Sequence, residues 1–72
     1  MKHDDIKRID IPLWEKYTLT VNEASVYFHI GDKKLRQIIA DDPDADYLIK
    51  VGNRQMLKRK RFEQFLDRQE AI

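Results

Sequence analysis

A helix with a polar cap, a tight corner and a second helix leave a short chain few folds to choose from, and residues 20–42, TVNEASVYFHIGDKKLRQIIADD, have that form. Thr20 and Glu23 make the T-x-x-E capping box, in which hydroxyl and carboxylate satisfy backbone donors that the first turn leaves unpaired. Val21, Ala24, Tyr27 and Phe28 then share one helical face. The corner is His29-Ile30-Gly31-Asp32, where Gly31 is expected to take the sharp backbone angles and Asp32 to cap the next helix. On that second helix Leu35, Ile38 and Ile39 lie on one side, while Lys33, Arg36 and Gln37 point away and Lys34 sits on the flank. Asp41-Asp42-Pro43 ends it, because acids disfavour a helix C-terminus and the residue before proline avoids helical angles. Basic and amide side chains outward on the second helix give a helix-turn-helix pattern. An αα-hairpin with a merely solvated outer face fits this stretch equally well.

Beyond Pro43 and the polar turn Asp44-Ala45-Asp46, the segments Tyr47–Val51 and Gln55–Lys58 flank Gly52-Asn53. This is a two-residue hairpin signal with glycine at the first central position. Its register sets Leu48 against Leu57, Lys50 against Gln55 and Ile49 against Met56, with Leu48 and Leu57 expected inward. Phe62, Phe65 and Leu66 recur at helical spacing, so a last helix is expected from about Lys60 to Glu70. Lys16–Leu19 is expected to form a short strand before the first cap. The resulting class is α+β: a small winged helix-turn-helix with a short N-terminal strand, a β-hairpin wing and a C-terminal helix. Residues 1–10 are expected to be a flexible tail, and residues 11–72 the winged-helix DNA-binding domain. A chain of 72 residues can bury only a small core, so Trp14, Tyr17, Tyr27 and the three phenylalanines are expected within it.

Charge is distributed unevenly. Residues 50–61 hold six basic side chains and no acid, whereas the other sixty residues hold eight basic and thirteen acidic ones. The formal net charge of +1 conceals this local field. Lys60 and Arg61 fall at the start of the last helix, where the macrodipole disfavours cations, and phosphate is a simple reason for keeping them there. A solvated basic strand that discourages edge-to-edge pairing is the plainer explanation. The outward Lys33, Lys34 and Arg36 favour the phosphate-binding one.

The remaining residue types argue against catalysis. There is no cysteine, which removes disulfides and thiolate metal sites and suits a reducing cytoplasm. No apolar run is long enough for a membrane span. His3 lies in the expected tail, and His29 suits a surface or capping role at the corner. Asp41, Asp42, Asp44 and Asp46 lack the glycine and terminal glutamate of an EF-hand loop, so a solvated turn is expected and no metal. Ser25 has no histidine placed to activate it. No nucleophile-and-base set, phosphate loop or cofactor motif is present, and the expectation is a chain that is not an enzyme and needs no cofactor.

The run IPLWEKYTLTVNEASVYFHIGDKKLR, and then Asp46 to Asp67 with GNR at the hairpin tip and KRKRFEQFLD after it, resembles the excisionases of conjugative transposons. These are small winged-helix proteins related to MerR-like DNA-binding domains. The resemblance covers about residue 11 to the C-terminus; Gln55 departs from it by standing where an apolar strand residue is more natural. It implies a recombination directionality factor that binds and bends DNA near the ends of an integrated element and cleaves no strand itself. The partners implied are double-stranded DNA and a tyrosine-recombinase integrase, with further copies of the chain on DNA admitted as a third. Lys33, Lys34, Arg36 and Gln37 would then face the major groove, and Asn53 and Arg54 would form the wing tip. Arg36 and Gln37 have the geometry to read guanine and adenine edges respectively, while Lys50, Lys58 and Lys60 would contact phosphates. A MerR-like transcriptional regulator or phage repressor would use the same face. An adaptor docking its basic hairpin on an acidic protein is an alternative of another class, separable by salt-dependent binding to duplex DNA.

Overall fold

Thr20 opens the first helix, α1 (Val21–Phe28), through the expected box: Glu23 N–H donates to Thr20 Oγ1 at 3.1 Å, and Thr20 N–H donates to Glu23 Oε1 at 3.0 Å. Lys16 Nζ also binds this carboxylate. Burial alone would raise the Glu23 carboxyl, but the hydrogen bonds from Lys16 and the Thr20 backbone hold it below its ordinary value. The stability this contributes is therefore present above the unfolded-state pKa and lost as the pH falls through the lowered one. The computed structural model describes residues 11–72, so the expected tail of residues 1–10 lies outside the described residues.

The corner is built differently from the expectation. Gly31 has φ −55° and ψ 148°, angles open to any residue, and the left-handed residue is His29 at φ 59°. Ser25 locks the turn, with its carbonyl accepting from Ile30 N–H at 3.2 Å while its hydroxyl donates to the Ile30 carbonyl at 2.6 Å. A side chain held left-handed costs about 1–2 kcal/mol, more than the about 0.4–1 kcal/mol by which glycine loosens the unfolded chain. His29→Gly should therefore raise stability in urea titration by about 0.5–1 kcal/mol. A destabilised variant would mean that the imidazole holds the corner.

The second helix, α2 (Asp32–Asp41), starts from Gly31 with no side-chain cap. Asp32 is its first residue, not its cap, because the carboxylate turns along the helix to Arg36. Leu35 and Ile39 are buried and Ile38 half-buried, as the periodicity requires, and the helix ends before Pro43.

Three antiparallel strands, β1 (Thr18–Leu19), β2 (Leu48–Val51) and β3 (Arg54–Lys58), form a sheet in the order β1-β3-β2. The hairpin keeps the expected register, Leu48 opposite Leu57, Ile49 opposite Met56 and Lys50 opposite Gln55, and Val51 pairs Arg54 across the tip. Gly52 sits there at φ 64°, the positive angle that a two-residue turn with glycine first demands. The last helix, α3 (Arg59–Asp67), is shorter than expected and begins one residue earlier. Arg59 N–H donates to the Tyr17 carbonyl at 3.0 Å, and so ties the helix start to the bend before β1.

Leu19, Ala24, Leu35, Ile39, Tyr47, Leu57 and Phe62 form the buried core, drawn from all three helices, two strands and the turn before β2. Leu48, Tyr27, Phe28, Phe65 and Leu66 pack against it as expected. Trp14 and Tyr17 do not: they are 62% and 73% exposed. Residues 13–15 form a 3-10 turn that directs Leu13 to the core instead of Trp14. Tyr17 sits in a bend before β1, which starts at Thr18 and not at Lys16, so strand alternation reaches Leu19 without it. Tyr47 takes the central aromatic place, 2% exposed, with ring centroids 4.8 Å from Phe62 and 5.1 Å from Phe65.

The Tyr47 hydroxyl is buried without a hydrogen-bond partner among the described residues. Burial, with the negative charges of Asp42 and Asp46 nearby, pushes the phenol above its ordinary value. An unpaired buried hydroxyl costs about 1–3 kcal/mol, so Tyr47→Phe should raise the urea midpoint. A lowered midpoint would count against an orphaned hydroxyl.

Candidate nucleic-acid interface

The anchors Leu35 and Ile39 fix the roll of α2, and Lys33, Lys34, Arg36 and Gln37 are all exposed in consequence. They do not form one uniform face. Arg36 leans toward the hairpin and lines an open groove of about 310 Å³ with Thr20, Val21, Asn22, Arg54 and Gln55. Lys34 and Gln37 border a second hollow of about 310 Å³ on the other flank, beside Asp41, Asp42, Tyr47 and Phe65. Lys33, two residues from Leu35, projects from the crest between them. Arg36 and Gln37 are each held by an acid one turn away: Arg36 Nε donates to Asp32 Oδ2 at 3.0 Å, and Gln37 Nε2 to Asp41 Oδ1 at 2.9 Å.

The hairpin presents its cations in two groups. At the tip Lys50, Asn53 and Arg54 are exposed. Lys50 shares the sheet face of Leu48, Gln55 and Leu57, whereas Arg54, Met56 and Lys58 alternate to the other. Lys58 is half-buried opposite Thr18, four residues from Arg54 and hence about 13 Å along the strand. Lys60 is exposed in the first turn of α3. Thus Arg36 and Arg54 are brought together, while Lys58 and Lys60 sit at the base of the wing, away from the tip.

Two of the six basic residues of the 50–61 run are otherwise engaged. The Arg59 side chain, 13% exposed, donates through Nε to the Lys16 carbonyl at 2.9 Å and through Nη1 to Glu63 Oε2 at 3.1 Å, which also accepts from the Tyr27 hydroxyl. Arg61 Nη1 lies 3.0 Å from Asp46 Oδ2. For Lys50, Arg54, Lys58 and Lys60, no carboxylate lies within ion-pair distance among the described residues.

Asn22 and Gln55 are groove residues that the sequence reading did not assign. The signal for Gln55 was present as a polar residue on the core-facing side of a strand; Asn22 carried none. His29 is exposed at the corner. Among the described residues no three His, Asp or Glu side chains converge as a metal site would require, and no helix is long and apolar enough to cross a membrane.

A helix bearing an arginine fork, beside a cationic hairpin, can engage a groove and its flanking phosphates together. The family model described as "Excisionase from transposon Tn916" matches residues 1–72. An excisionase from transposon Tn916 of Streptococcus agalactiae serotype V is 51% identical over 67 residues, which span 93% of this chain and 100% of that relative. With the helix-turn-helix and the hairpin both inside the match, this chain belongs to the Tn916 excisionase family.

Proposed function

We propose that this chain binds duplex DNA near the ends of an integrated mobile element, bends it, and helps a tyrosine-recombinase integrase to assemble the excisive complex. Strand cleavage belongs to the integrase; the chain supplies DNA geometry. Residues 11–72 act as the DNA-binding unit in the cytoplasm, and further copies occupy neighbouring sites on the same duplex. In this reading α2 enters the major groove with Lys33, Lys34, Arg36 and Gln37 facing it, and Arg36 and Gln37 read base edges. Asn53 and Arg54 meet the adjacent backbone or minor groove, and Lys50, Lys58 and Lys60 neutralise phosphates.

The observation that carries this reading is the shared groove of Arg36 and Arg54, since helix and wing must address one duplex at once. The test separates reading from positioning. Arg36→Ala should reduce discrimination against altered base pairs by about 1–3 kcal/mol, whereas Lys58→Ala should weaken specific and non-specific duplexes about equally. Titrations of both variants on a selected duplex and its point variants give the comparison. Uniform losses for both would remove α2 as the reader.

A further inference from the structure

Asp32 stands where a helix cap is expected and does not act as one. No side-chain cap bond is made at the start of α2, and the Asp32 carboxylate instead accepts from Arg36 Nε at 3.0 Å. The two side chains are 51% and 59% exposed, and an ion pair in water contributes little to the fold. A carboxylate beside a phosphate-binding surface also repels DNA. Its place in the first turn of α2 suits the helix dipole, a role that does not require the bond to Arg36; what that bond adds is a fixed position for one guanidinium. The bond occupies Nε, and among the described residues the Nη atoms make no hydrogen bond. Those Nη atoms form the fork that pairs with the O6 and N7 acceptors of guanine.

We propose that Asp32 is a positioning residue for base recognition: it holds the Arg36 guanidinium with its Nη edge free beside Arg54 and Gln55. The fork then meets the base edge without first losing the rotamer freedom of a long side chain, a cost that otherwise weakens binding. This rests on Arg36 as a base reader. The carboxylate consequently works in two directions, sharpening discrimination while lowering affinity for DNA in general.

The experiment uses the full chain and a duplex that the parent protein selects from a random pool, with single base-pair variants of it. Asp32→Asn should lower discrimination at the pair read by Arg36 roughly two- to tenfold, the range for one ordered side chain, and should raise affinity for unrelated duplex. Asp32→Glu should restore discrimination, because the longer acid still reaches one turn along the helix. In an Arg36→Ala background Asp32→Asn should leave discrimination unchanged. Parent-like discrimination by Asp32→Asn, with Arg36→Ala impaired, would overturn the positioning role alone. A loss that persists without Arg36 would do the same. If Arg36→Ala itself discriminates like the parent, the reading role of Arg36 fails and the positioning role with it.

Discussion

Phe62→Ala is expected to remove about 3–5 kcal/mol of stability, out of about 4–11 kcal/mol that a domain of this length can hold. Phe62 is fully buried in the first turn of α3, with ring centroids 4.8 Å from Tyr47, 5.0 Å from Phe28 and 5.3 Å from Phe65. These partners come from the turn before β2, from α1 and from α3 itself, so one ring joins three parts of the chain. Alanine would leave a void that none of them can fill without moving the others. The urea midpoint should fall by a large fraction of its parent value, and DNA affinity should fall with the folded population. Val26→Ala is the control, because Val26 is 68% exposed and a surface change of this kind costs within about 0.5 kcal/mol. A midpoint for Phe62→Ala no lower than that of Val26→Ala would refute this account of the core.

What could be read from the sequence was set by local chemistry. Thr20 and Glu23 lie within one turn, so their reciprocal bonds follow from spacing alone. Gly52 fixes the turn, the turn fixes the register, and Leu57 then has to face inward. Residues paired over long separations were not legible. Arg59 counts as one more cation in a basic run until Lys16 and Glu63 are brought to it, and Arg61 does so until Asp46 is. Residue type alone places Trp14 and Tyr17 in the core, but a small interior already filled by Tyr47 and the phenylalanines has no room for them. Two departures from expectation lie within local reach. Gly31 drew attention from His29, whose left-handed angle no glycine signals, and the capping role expected of Asp32 hid its i,i+4 pairing with Arg36. For the interface, exposure of the α2 cations was legible from periodicity, whereas their division between two flanks depends on where hairpin and α3 pack.

Binding to a specific duplex should weaken roughly 150-fold between 50 and 200 mM salt, from a slope of about −3.6 in log K against log[salt]. The slope counts four phosphate contacts, by Lys50, Arg54, Lys58 and Lys60, at about −0.9 each on B-DNA. Composition alone would count six. Arg59 is excluded because its guanidinium is largely buried against Glu63 and the Lys16 carbonyl, and Arg61 because Asp46 offsets its charge. Six contacts would give a slope of about −5.4 and a loss of nearly 2,000-fold over the same range, so the two counts are easily told apart by titration. Single substitutions assign the contacts. Alanine at Lys50, Arg54, Lys58 or Lys60 should each flatten the slope by about 0.9, while Arg61→Ala should leave it unchanged. Arg59→Ala should also preserve the slope but lower the urea midpoint, since it frees Glu63 and removes the side-chain bond to the Lys16 carbonyl. A slope near zero on the specific duplex would mean that the basic hairpin does not bind phosphate. A slope that flattens on Arg59→Ala would mean that DNA draws this side chain out of its buried pair, and the separation of structural from DNA-facing cations would fail at that residue.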